Sequence, residues 1–181
     1  MAYAEYSNIK TADGVSVNIY SADTAARQVA EARKNSDVVL VSMHWGTEYS
    51  KVPNNMQKNA VAVLAANGTD IVIGTGPHVV QPVAKVAKAG GGETLVWYSL
   101  GNSLNAQLDI NSLISGIAVM DFTVESGKPT LTNIGFMPTY MHYEWTQAEK
   151  ASENLLARKN FKLYPLDIAA DAMSKSQNNT S

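Results

Sequence analysis

Two continuous apolar runs, DVVLVSM at 37–43 and DIVIG at 70–74, enclose a helical pattern at 54–67, and this order constrains the fold more than any other feature of the chain. Runs without polar alternation are expected of strands covered on both faces, as in a parallel sheet. Between them Met56, Ala60, Val63 and Leu64 recur at helical spacing, and Gly68 stands where a helix ends on a left-handed glycine. Two parallel strands need a crossover, and a helix of this length supplies a right-handed βαβ unit. The fold class this predicts is α/β.

The remaining elements follow from shorter signals. Val15, Val17 and Ile19 alternate with polar residues and predict a half-buried strand. Ser21 is a helix N-cap with Asp23 in the first turn, and Ala22, Ala25, Ala26, Val29 and Ala32 predict an amphipathic helix over 22–35. VAKVA at 83–87 and TLVWYS at 94–99 flank a glycine-rich turn and predict a hairpin. Residues 117–124 and 131–136, around ESGKP, predict a second one. Thr146 and Glu149 form a capping box that opens a helix expected to reach about Lys159. The domain is expected over 1–168, with 169–181 a flexible polar tail.

Composition excludes several functions. Lys and Arg number 14 against 16 Asp and Glu, a net charge of -2, so no nucleic-acid partner is expected. The chain has no cysteine, which removes thiolate catalysis, disulfides and cysteine zinc sites. No apolar run is long enough to cross a bilayer, and MAYAEYSNIK lacks the basic-then-apolar order of a signal peptide. No G-x-S-x-G elbow occurs, which argues against a serine triad. GTG at 74–76 is a poor phosphate loop, because Pro77 removes an amide donor and no helix pattern follows.

What remains is the polar sequence at the ends of three apolar strands: MHWGTEY, GTGPHVVQP and SLGNS. Ligands of open α/β sheets bind beyond the carboxyl ends of the strands. His44, His78 and Asn102 would then share one edge of the sheet. Neutral imidazoles and an amide oxygen suit zinc, manganese or iron. Glu48, four residues after His44, is a ligand, a base or a partner that orients the imidazole. Each residue also has a plain structural reading: a hydrogen-bonded strand-end histidine, a turn asparagine in Gly-Asn. Trp45, Trp97 and His142 read as packing residues.

DVVLVSMHWGTEY, the helix with Gln57, NGTDIVIGTGPHVVQPV and LVWYSLGN resemble, in order and spacing, the CapA-type poly-γ-glutamate capsule-biosynthesis family. AYAEYSN before them, and FMPTYM followed by FKLYPL after them, extend the likeness over nearly the whole chain. The family belongs to the calcineurin-like metallophosphoesterase superfamily. The resemblance implies the back portion of a four-layer α/β/β/α sandwich with a two-metal centre. It makes His44 the ligand of an H-W-G motif and His78 the last histidine of an H-P-H motif. Glu48 would orient a ligand or take protons, and Asn102 would shape the rim. The metals implied are divalent manganese, zinc or iron. The substrate implied is an anionic polymer such as poly-γ-glutamate, with membrane-bound capsule-synthesis proteins as partners, on the extracytoplasmic side of a bacterial envelope.

Two departures from the family pattern change the expectation for this chain. Gly76 stands where the pattern carries a histidine. The early G-D, N-x-E and G-N-N-H motifs are missing, so the chain is expected to be the back portion of a longer protein and inactive alone. A non-catalytic envelope scaffold or polymer-binding module, its metal site degenerate, is the alternative. A doubly wound nucleotide-binding domain ranks last. An uncovered sheet edge would favour association between copies.

Overall fold

The structure is a computed structural model that describes residues 1–7, 16–105, 107–126 and 128–175. In chain order it contains β1 (Ala2–Ala4), α1 (Ala22–Asn35), β2 (Leu40–His44), α2 (Asn55–Ala66), β3 (Ile71–Thr75), β4 (Val80–Ala87) and β5 (Glu93–Leu100). Then come α3 (Ile110–Leu113), β6 (Ile114–Glu125), β7 (Lys128–Glu144), α4 (Gln147–Ala151), β8 (Lys159–Pro165) and α5 (Ala170–Lys175). Five strands form one sheet in the order β1-β2-β3-β5-β4, and three form a second in the order β6-β7-β8. β1, β2, β3 and β5 run parallel, and β4 returns antiparallel on β5. The fold is therefore α/β, with the βαβ crossover at β2-α2-β3.

Both crossover helices are fixed by their caps. The Ser21 hydroxyl accepts the Thr24 N–H at the start of α1. Asn54 and Gln57 exchange side-chain and backbone hydrogen bonds at the start of α2. At the far end of α2 the Gly68 N–H donates to Ala65 and the Thr69 N–H to Leu64, with Gly68 at φ +97. That Schellman closure needs a residue without a Cβ. It turns the chain straight into β3.

The helices cover one face of the larger sheet. Ala25 and Val29 of α1 and Ala60, Val61 and Leu64 of α2 pack on Val41, Met43, Val72 and Val96. On the opposite face Ile71, Leu95 and Trp97 meet Ala118 and Met120 of β6 and Leu131 of β7. A third core lies around Leu113, Tyr140, Met141, Tyr143 and Trp145, against Ala169.

The expectation that 37–43 is covered on both faces fails. Leu40 is 43% exposed, and His44 is exposed beside a half-buried Ser42. The second sheet reaches only the β3–β5 side of the larger one, so the outer faces of β1 and β2 stay open.

Three other expectations change. Val15 lies outside the described residues, and Ile19 makes one isolated parallel bridge to Ala4 rather than a strand. The last predicted helix starts as expected on the Thr146–Glu149 capping box but stops at Ala151. Glu153 takes φ +53 and ends it, and residues 159–165 become β8 on the free edge of β7. Residues 170–175 form α5, with Ala169 buried and Met173 packed on the third core.

Candidate functional site

β2, β3 and β5 end side by side, and the loops after them build the site. The loop after β2 is clamped from several sides. The Gly46 N–H donates to Glu5 Oε2 at 2.8 Å, and the Tyr49 N–H to the Pro77 carbonyl at 2.8 Å. Beneath it Gln57 and Gln81, 0% and 3% exposed, form a buried amide relay. Gln57 Nε2 donates to Gln81 Oε1 at 2.8 Å, and Gln81 Nε2 to the Ser50 carbonyl at 2.8 Å. Each buried amide group is satisfied, which is what makes such a chain rigid.

Glycines let the backbones approach. A Cβ on Gly74 would lie 2.1 Å from the Tyr98 carbonyl oxygen and 2.6 Å from Trp45 Nε1. Trp45 passes over that bare position to donate its indole N–H to the Tyr98 carbonyl at 2.9 Å. Gly76 has φ +118, and a Cβ there would stand 2.3 Å from the Trp45 carbonyl oxygen. No histidine fits at 76 unless the Trp45 backbone moves.

His78 is the centre of the arrangement. Its backbone is left-handed, φ +63, uncommon for a side chain of this kind. Its Nδ1 lies 3.0 Å from Asn102 Oδ1. The Asn102 amide is oriented by its own donor, since Nδ2 points to the Ser112 carbonyl at 3.4 Å. An amide oxygen only accepts, so in neutral His78 the proton sits on Nδ1 and the lone pair on Nε2. Nε2 lies 3.8 Å from Glu48 Oε1. Asn102 thus orients His78 with the oxygen that sequence reasoning offered as a ligand.

The rim closes through residues that the sequence did not single out. Tyr49 stacks at a tilt on His78, ring centroids 5.7 Å apart, and its hydroxyl donates to Gln107 Oε1 at 3.2 Å. Asn105 donates to the Ser112 carbonyl and accepts the Gln107 N–H. Lys51 reaches Asn111 Oδ1 at 2.7 Å. The only advance signal for these residues was their density of amide side chains.

His44 stands apart. Its Nδ1 is 3.4 Å from Thr75 Oγ1, which is also 3.3 Å from the Met43 carbonyl. Among the described residues no hydrogen bond or ring contact joins His44 to Glu48, His78 or Asn102. Glu5, just after β1, is tied to His44 through the backbone, its N–H donating to the His44 carbonyl at 2.8 Å. Among the described residues no group of three or more His, Cys, Asp or Glu gathers so as to hold a metal ion. The donors described do not fit a complete metal centre by themselves. His142, read as a packing residue, is buried between Tyr140 and Tyr164 and meets Glu144 at 3.2 Å.

In this α/β domain the strand-end loops converge on an oriented histidine, at the sheet edge where ligands of such folds are expected. The chain belongs to the family described as Bacterial capsule synthesis protein PGA_cap, matched over residues 2–107. It is 38% identical over 74 residues to the PGA biosynthesis protein CapA of Bacillus subtilis (strain 168), covering 41% of this chain and 18% of that protein. It is 36% identical over 124 residues to the capsule biosynthesis protein CapA of Bacillus anthracis, covering 59% of this chain and 29% of that protein. The chain spans less than a third of the length of either relative.

Proposed function

We propose that this chain contributes the back portion of a metal-dependent hydrolase-type site in a capsule-biosynthesis protein. The observation that carries the reading is the Asn102–His78–Glu48 line. Asn102 holds the proton on Nδ1, which leaves His78 Nε2 with a lone pair beside a carboxylate. Such an outer hydrogen bond is what tunes histidine ligands in metal sites. His44, Nδ1 toward Thr75, supplies the second imidazole of that reading. The metal would be manganese, zinc or iron, held together with donors from outside the described residues. The open faces of β1 and β2, and the exposed Ile117, Val119 and Met137 on the second sheet, support a complete four-layer α/β/β/α sandwich formed with further chain. The substrate would be an anionic polymer such as poly-γ-glutamate, at the extracytoplasmic side of the envelope, alongside membrane-bound synthesis partners. Taken alone, the 181-residue chain would have no turnover above background.

The test is metal content. Elemental analysis of a longer polypeptide containing this chain should find bound divalent metal, reduced at least severalfold by His78→Ala and by His44→Ala. Unchanged metal in both variants rejects the reading.

A second reading has its own observation. Gly76, where the family pattern carries histidine, is hemmed in by the Trp45 backbone. That favours a scaffold or polymer-binding module in which the centre has degenerated, and in that case the longer polypeptide would bind polymer and hold no stoichiometric metal.

A further inference from the structure

A cavity of about 760 Å³ lies at the end of the larger sheet opposite His78. Asp70 stands just before β3 and Glu93 opens β5, whereas Thr75 and Leu100 close those strands on the His78 side. The C-terminus of α2, the turn 88–92, Glu93 and Lys128 at the start of β7 line the space.

The charges in this cavity do not cancel. Asp70, 2% exposed, has both carboxylate oxygens engaged. Oδ2 accepts the Val39 N–H at 2.7 Å and meets Arg33 Nη1 at 3.0 Å, and Oδ1 accepts the Lys88 ammonium. Two cations on one buried carboxylate leave an excess positive charge. Lys128 brings a third cation and makes no ion pair among the described residues. Glu93, the other acid on the wall, is met by Lys85 at 3.5 Å. Arg33, Lys88 and Lys128 against Asp70 and Glu93 leave the wall net positive, which favours an anion. The chain as a whole carries -2, so a basic recess is not its general surface character.

Two details belong to the residues of this wall. Arg33 Nη2 donates to the Ser36 carbonyl at 3.0 Å, yet its Nε is buried with no partner among the described residues. Gly90 has no positive φ, and an added Cβ would meet nothing within 4 Å. Neither backbone conformation nor packing demands glycine there. A bare backbone beside a cavity is what a closely approaching ligand needs. A structural clasp between α1, β3 and the turn would need one cation on Asp70 and no open volume.

We propose that this cavity binds an anion carrying two or more phosphate or carboxylate groups. Arg33 and Lys88, pre-positioned by Asp70, would take one group through charge-assisted hydrogen bonds, and Lys128 would take another. The volume is that of an ordinary small-ligand pocket. The inference does not depend on the hydrolase reading, since it uses none of the same residues.

Isothermal titration of the 181-residue chain with pyrophosphate, and separately with an α-linked hexaglutamate peptide, tests it. One site that weakens with added salt is expected for at least one of the two. Lys128→Glu should weaken it about tenfold or more, and Gly90→Leu, which places bulk on the wall, should do the same. Tighter binding of pyrophosphate assigns the site to a small free anion, and tighter binding of the peptide to a carboxylate chain. No binding of either at millimolar concentration overturns the proposal, as does binding that both variants leave unchanged.

Discussion

Gly76 is the residue on which the two readings of the site divide, and its environment makes a direct prediction. A methyl group there would have to displace the Trp45 carbonyl from 2.3 Å while the backbone stays at φ +118. Overpacking and left-handed strain together predict that Gly76→Ala loses about 2–4 kcal/mol of stability, read from the urea midpoint. A loss under about 0.5 kcal/mol would mean that the loop yields easily and that histidine could stand there. Asn102 carries the opposite lesson. Its sequence context, Gly-Asn after a strand, permitted a ligand, a rim residue or a turn. Only the Ser112 carbonyl, ten residues away, decides which end of the amide meets His78. That information lies in the fold, since a side-chain amide looks alike from both ends until its neighbours are placed.

At the scale of elements, caps and periodicity were legible and long-range pairings were not. α1 and α2 could be read to within a residue because Ser21, Gly68 and helical apolar spacing are local signals that act on local backbone, while the Asn54 cap went unread. The β4–β5 hairpin was equally plain, since a glycine-rich turn joins two apolar runs. The helix from Thr146 was misjudged in length because the box that starts it says nothing about where it stops. β8 forms over 159–165 because β7 offers an unpaired edge, after the left-handed Glu153 has ended the helix. The buried relay of Gln57 and Gln81 was likewise invisible as a pair, although both residues stood in recognisable motifs. Gln57→Leu should cost about 1–3 kcal/mol by stranding Gln81. The double variant with Gln81→Leu should recover part of that loss, and chemical denaturation of the three proteins gives the coupling. Strict additivity would show that the two amides do not act as a unit.

For the molecule as a whole, the distribution of uncovered apolar surface is the main finding. The larger sheet is sealed by helices on one side and by the second sheet over β3 and β5. Leu40 on β2 and Ile117, Val119, Phe136 and Met137 on the second sheet are each between 38% and 48% exposed. Such surface binds amphiphilic dyes and favours association, while its removal scarcely affects the core. Ile117→Lys with Met137→Glu should therefore reduce anilinonaphthalene sulfonate fluorescence and any concentration-dependent self-association. Sedimentation velocity and dye titration measure both. Unchanged dye binding would place the accessible apolar surface elsewhere. The α/β class was legible in the crossover, but this incompleteness was not, because an apolar run reads the same whether one face is covered or two. By contrast the outer edge strand β4 carries Pro82 and Lys85, and neither invites another strand to pair there.

The indole of Trp45 has a consequence for how the chain comes to be made. Its acceptor, the Tyr98 carbonyl, is 53 residues further along. During synthesis the loop that carries Glu48 can therefore be clasped by Glu5 and Pro77 before this last tie is made, which waits until β5 has left the ribosome and docked. The loop after β2 is thus set in stages, and its final fastening comes from a strand made well after it.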